Sequence, residues 1–300
     1  MKNYLYKIKE FSVLLMTKNP LVKKMGFRKE DKLLIIQADD LGMANSVNNA
    51  SLLAMKEGIV SSGSIMVPCP GYRNLVENIR SFKEFDLGIH LTLTSEWPNY
   101  KWGPVLDVRE VPSLVDHNGF FYGSKKEFLR NFSLKDVEKE FRAQIETALS
   151  DGIALTHIDS HMFIADADKE ISGIIRKIGN DYKLPVLLRR KNGVRKYFQG
   201  RDMFVDKIYF AKGGHFYTEL KDIYYHILLK LDPGINILLI HPAYNDKEMK
   251  NITGDTVAYG ALWRQYDFDL FSGDEYRKLI ADNNIQIITW KRIRKALYPV

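Results

Sequence analysis

Apolar runs of strand length recur along this 300-residue chain, separated by segments whose apolar residues repeat at helical spacing. Candidate strands cover 33–38, 61–67, 86–91, 153–159, 184–189, 236–240 and 285–290. Most read as apolar on both faces. Between them, Ser133 and Asp136 open a helix whose Leu134, Val137, Phe141, Ile145 and Leu149 form one stripe, with Gly152 at its expected carboxyl cap. Near the end, Ser272 and Glu275 make a capping-box pattern ahead of Tyr276, Leu279 and Ile280. Strands alternating with helices predict an α/β fold with a mostly parallel sheet, doubly wound or closed into a barrel. The length suits one principal domain.

Several of these strands finish on residues that bind metals or move protons. LLIIQA runs into Asp39-Asp40, DLGI into His90, IALTHIDS into His161, and NILLI into His241. The carboxyl ends of parallel strands gather on one face, where α/β proteins build their active sites. Two histidines and an aspartate brought together there suit a divalent cation, which explains why an apolar strand leads into two like charges. Asp40 is read as a ligand and Asp39 as the acceptor of a proton from water. Both can serve one site only if the chain is already turning at Gly42, because successive strand residues face opposite ways.

Taken singly, each feature has a plainer reading. Asp-Asp also suits an exposed turn before a helix capped by Asn45 or Ser46, and a lone His90 suits a hydrogen-bonded core residue. Asp159 is placed behind the ligands as a support for them. His157 is left open between that role and an ordinary sheet face. His117, His215 and His226 read as structural or surface residues. Phosphate-loop, dinucleotide and nucleophile-elbow motifs are absent, so nothing points to nucleotide chemistry or a covalent acyl-enzyme.

Composition narrows the partners. Charged residues make up 27% and no apolar run approaches the ~20 residues of a membrane-spanning helix. Cys69 is the single cysteine, so an internal disulfide is impossible and a reducing, cytoplasmic setting is expected. Of the net charge of +7, six units lie in residues 1–30, which hold eight basic residues against Glu10 and Glu30. Tyr4, Ile8, Phe11 and Leu15 make that segment an amphipathic helix, expected to pack on the domain's own surface or to rest peripherally on an anionic membrane. The division is therefore a basic extension, 1–30, and one catalytic domain, 31–300. The rest of the chain is nearly neutral, so no nucleic-acid partner is expected. The oligomeric state stays open, a homo-oligomer included. The connection from Ser95 to Ser124, rich in aromatic residues, is long enough to be functional or mobile.

The stretches ADDLGMANSVNNA, GIVSSGSIMV, DLGIHLTLT, VPSLVDHNGFF, THIDSH and HPA, in that order over about residues 32–290, resemble the motifs of the YdjC-like carbohydrate deacetylases, which include chitooligosaccharide deacetylases. The resemblance implies an irregular (β/α) barrel with its active site at the carboxyl ends of the strands, and metal-dependent removal of acetyl from N-acetylated sugars or oligosaccharides. It implies Asp39 as general base, Asp40, His90 and His161 as metal ligands, and His241 as general acid or transition-state stabiliser. It suggests magnesium, while two histidines and an aspartate also suit zinc. Many relatives carry further histidines after the metal histidine, where this chain has Met162, Phe163 and Ala165, so the wall beside the site is more apolar. Trp97, Tyr100, Trp102, Tyr244 and Trp263 are candidates for stacking on a sugar. Two other readings remain: hydrolysis of another acylated or lipid-linked saccharide at a membrane surface, and non-catalytic sugar binding.

Overall fold

The computed structural model describes residues 19–79, 84–188, 205–212 and 217–299. Among the described residues, seven strands form one sheet, and every pairing in it is parallel. The central strand, β1 (Lys32–Leu41), is long enough to take two neighbours on one edge. There β2 (Ser62–Ile65) pairs with Gln37–Leu41, and β7 (Ile285–Ile287) pairs with Lys32–Leu34. From β2 the sheet continues through β3 (Leu87–Leu91) to β4 (Ile158–Ser160). On the other edge of β1 lie β6 (Gly234–Ile240) and then β5 (Lys207–Phe210). With helices around it, the sheet makes an irregular β/α barrel: the parallel sheet is what the alternation of the sequence predicts, and the barrel is what the family resemblance implies.

The pleat sorts side chains into two cores. On β1, Leu34, Ile36 and Ala38 join Leu238 and Ile240 of β6 beneath the surrounding helices. The intervening residues, Leu33 and Ile35 of β1 with Ile235, Ile237 and Leu239 of β6, face the barrel interior together with Ile208, Leu187, Trp290 and Ile293. Both faces of β1 and β6 are thus shut off from water. Each such Leu or Ile contributes roughly 1.5–3 kcal/mol by burial.

The interior is closed at the amino ends of the strands by a helix at Pro20–Lys24, whose Leu21 and Val22, with Met25, belong to the inner core. The Arg292 guanidinium lies 3.9 Å from the centre of the Phe27 ring, tying this segment to the last helix, Trp290–Leu297. Leu21, Val22, Met25 and Phe27 thus pack on the inner core of the barrel. Residues 1–18, which carry Tyr4, Ile8, Phe11 and Leu15, lie outside the described residues.

Several expectations shift. The 153–159 run pairs only from Ile158, and 184–189 contributes a single bridge from Val186 to Ile158. The strand KIYF at 207–210 is too short and mixed to stand out in the sequence. Thr289 ends the last apolar run by capping the helix that follows. Ser133 accepts the Asp136 amide as expected, and Gly152 adopts φ +86 beyond that helix, but Ala148 replaces Leu149 on the buried face. The Ser272 cap fails: Ser272 ends the helix Ala261–Ser272, and Gly273 begins the next, Asp274–Asp282, without a side-chain cap. The 95–124 connection is described throughout and is pinned by a bridge between Val115 and Phe121.

Candidate functional site

Along the inward face of β1 the residues run Leu33, Ile35, Gln37, Asp39. Gln37 is fully buried and uses its whole amide: Nε2 donates to Asp39 Oδ1 at 2.8 Å and to Asp159 Oδ2 at 2.7 Å, while Oε1 accepts from Trp290 Nε1 at 2.8 Å. It joins the apolar interior to the acidic rim. Asp39 and Asp40 are both buried, so the exposed-turn reading does not hold.

A break in the pleat lets both aspartates face one site. Ala38 pairs with Gly63 and Leu41 with Ile65, so β1 carries one extra residue against β2. The turn begins at Asp40 itself, with φ +69, ahead of Gly42. A left-handed aspartate is uncommon and must be held in place. The Gly42 amide donates to Asn48 Oδ1 at 2.6 Å, and the Met66 amide to the Leu41 carbonyl at 2.7 Å. Gly42 has φ +90, and a Cβ there would meet the Met66 carbonyl oxygen at 2.8 Å, so the turn admits only glycine. The following helix, Asn45–Glu57, takes its cap from neither Asn45 nor Ser46: Glu248, 203 and 202 residues away, accepts the amides of both.

The Asp40 carboxylate is divided between two tasks. Oδ2 accepts from Arg264 Nη2 at 2.7 Å, an ion pair with both side chains 2% exposed. Oδ1 is buried with no hydrogen-bond partner, and His161 Nδ1 and His90 Nε2 face it at 3.4 and 3.6 Å. One ligand atom from each of the three residues lies within 4.8 Å of the other two. An orphaned anionic oxygen opposite two imidazole nitrogens fits a divalent cation, since a buried acceptor without a partner is otherwise costly. Asp39, His90 and Asp159 form a second close group. There Asp39 Oδ1 and Asp159 Oδ2 already accept from Gln37 and Ser64, and Asp159 Oδ1 already faces His90 Nδ1, so the first group is the better cradle.

Both histidines are backed by carboxylates. His90 Nδ1 lies 2.9 Å from Asp159 Oδ1, and His161 Nε2 lies 3.0 Å from Glu96 Oε2. A proton held on each of those nitrogens leaves the opposite nitrogen of each ring free to bind metal. Ser64 Oγ donates to Asp39 Oδ1 at 3.1 Å and lies 3.1 Å from His90 Nδ1.

The charges are set by these neighbours. Burial pushes Asp39 up to about 7, against the attraction of His90 and with repulsion from Asp159 added. Burial opposes the charge on Asp40 too, but Arg264 and His161 hold it well below the usual carboxylate range. His161 rises to about 10 because Glu96 and Asp40 overcome its burial, so a cation seated there displaces a proton. Burial lowers His241 to about 3, with Arg264 repelling its charged form, and the ring is neutral at pH 7.

His241 follows β6 on the face of Leu239, and its amide donates to Asp267 Oδ2 at 2.8 Å. Its ring meets Tyr259 edge-on at 4.9 Å. A cavity of about 600 Å³ is lined by Asp39, Asp40, His90, Asp159, His161 and His241 together. Thus all five proposed chemical residues and the supporting Asp159 converge from strands far apart in sequence. Of the stacking candidates, only Trp97 lines the cavity. Tyr100 donates its hydroxyl to the Met43 carbonyl, and Trp102 is buried with its indole N–H on the Thr94 carbonyl. Tyr244 packs on Phe268 and Trp263 behind Tyr259. His157 is buried and stacked on Trp290 at 4.5 Å, and a Cβ at Gly88 would strike its ring. His117 and His226 are exposed, and His215 lies outside the described residues.

Reading the sequence missed Gln37, Ser64, Glu96, Tyr259, Arg264 and Asp267. Gln37 carried a signal, a polar residue two places before Asp39 in an apolar strand. Arg264 carried none, sitting in an ordinary amphipathic helix pattern.

A carbohydrate deacetylase of Brevibacillus brevis is 28% identical over 264 residues, 87% of this chain and 99% of its own length. One from Thermoanaerobacter pseudethanolicus is 28% identical over 269 residues, covering 88% of this chain and all of the relative. Among solved structures, a protein of Enterococcus faecalis V583 described as a cellobiose-phosphate cleavage protein superposes with a TM-score of 0.75 at 26% identity, covering 87% of this chain and 98% of the other. The model of the YdjC-like protein family matches residues 33–282, from the start of β1 nearly to β7, and on that ground the chain belongs to the YdjC-like family.

Proposed function

We propose that this protein is a metal-dependent hydrolase that removes acetyl groups from N-acetylated sugars. The observation that carries the reading is the unpartnered Asp40 Oδ1 facing His161 Nδ1 and His90 Nε2 beside Asp39, inside one cavity. The deacetylase relatives supply the substrate class.

Amide hydrolysis needs an activated water, charge stabilisation at the carbonyl oxygen, and a proton for the departing amine. Asp40, His90 and His161 would hold a divalent cation, magnesium or zinc, which when bound acidifies water and polarises a carbonyl. Asp39, fixed by Gln37 and Ser64, accepts the proton of the attacking water and returns it to the nitrogen as the amine departs. Arg264 holds Asp40 in its ionised form and fixes its direction. His241, neutral and close to the same cavity, is suited to donate a hydrogen bond where negative charge develops, which favours the stabilising role over that of a resting acid. Asp159 and Glu96 keep the two imidazoles turned toward the centre.

The test is acetate release from a panel of N-acetylated mono- and oligosaccharides, with protein stripped of metal and then reloaded with magnesium or zinc. Release that requires the metal supports the reading. No release from any sugar with either metal, together with tight sugar binding, would replace it by the non-catalytic alternative.

A further inference from the structure

The cavity has two unlike sides. One holds the charged cluster; the other is built from Leu187, Leu239, Phe163 and Phe210, with Met162 beside them. Leu187 and Leu239 belong to the inner apolar core of the barrel, and Phe163 and Phe210 pack against that core, their rings 5.7 Å apart. The turn that supplies His161 also supplies this wall. Directly after it, Met162 and Phe163 take left-handed conformations, with φ 50 and 54. Two consecutive bulky residues in that region are strained and need outside support. Support comes from Lys125 Nζ, which donates to the Met162 carbonyl at 2.8 Å, and from Ser160 Oγ, which accepts the Ala165 amide at 3.0 Å.

A sugar ring brings several hydroxyls, each of which loses water on binding and needs a partner in return. These four apolar side chains offer none. An alkyl or aryl group, in contrast, gains by leaving water against them.

Resting on the proposed hydrolysis, we infer that the substrate is an N-acylated sugar bearing an apolar substituent larger than the acetyl methyl, and that this substituent lies against Phe163, Phe210, Leu187 and Leu239. The substituent is either a longer acyl chain on the nitrogen or an apolar aglycone.

Two substrate series separate these sources: N-acyl glucosamines from acetyl to octanoyl, and N-acetylglucosaminides from methyl to octyl. With metal-loaded protein, kcat/KM for amine release is expected to rise about fourfold per methylene over the first few carbons, the equivalent of ~0.8 kcal/mol per buried CH2. The series that rises identifies the source. Phe163→Asn, which keeps a residue tolerant of left-handed backbone, should flatten the rise, and Phe163→Leu should restore most of it. Calorimetry on metal-free protein gives an independent readout, with the longest member of the rising series binding more tightly than the shortest. Amine release that is flat or falling along both series overturns the inference and leaves the deacetylase reading standing. No amine release from any compound overturns that reading as well.

Discussion

At the amino end of β1, Leu33 and Ile35 face a sealed interior shared with Leu21, Val22 and Met25. Six residues beyond Leu33 on the same inward face, Asp39 sits among two further carboxylates, two imidazoles and a guanidinium. One end of the barrel is held by dry packing and the other by a fully buried polar network, with Gln37 as the join. The difference teaches where stability and chemistry reside. The apolar end tolerates no loss of volume, whereas the polar end tolerates no loss of a partner, because its groups are costly unless paired.

That contrast can be broken from either end. The largest effect is expected for His161→Ala, which should abolish metal binding and turnover together; metal retained at wild-type affinity, by calorimetry, would exclude His161 as a ligand. Leu33→Ala at the closed end should cost ~2–5 kcal/mol in denaturant unfolding while the remaining folded protein keeps its specific activity. A loss of activity without loss of stability would mean the two ends are coupled. Asp39→Asn should retain the metal and lose turnover by ~100-fold or more. Full activity in that variant would remove Asp39 from proton transfer. The smallest effect is expected for Glu96→Gln, which should weaken metal affinity by ~10–100-fold through a less firmly oriented His161. An unchanged affinity would make Glu96 a bystander.

The legible part of the site was the part carried by pattern. Asp39-Asp40, His90, His161 and His241 each end an apolar run, and a parallel sheet has only one face for such ends. The aromatic candidates had no such pattern. Tyr100 and Trp102 turned out to satisfy their own packing and hydrogen bonds, Trp263 packs against the Tyr259 ring, and Trp97 alone reached the cavity. Arg264 stayed hidden because its pairing with Asp40 spans 224 residues and depends on how a late helix lies over the barrel mouth.

From the chain alone came the alternation that makes a parallel sheet, the burial of β1 and β6 on both faces, and the gathering of chemical residues at the strand ends. These follow from local periodicity, which a sequence states directly. Tertiary structure decided the extra residue at Asp39-Asp40 that turns both carboxylates one way, the choice of Glu248 as a distant helix cap, and the unpartnered oxygen that singles out one of two close groups as the cation's place. Those features are set by which atoms meet across the fold, and such meetings have no period along the chain.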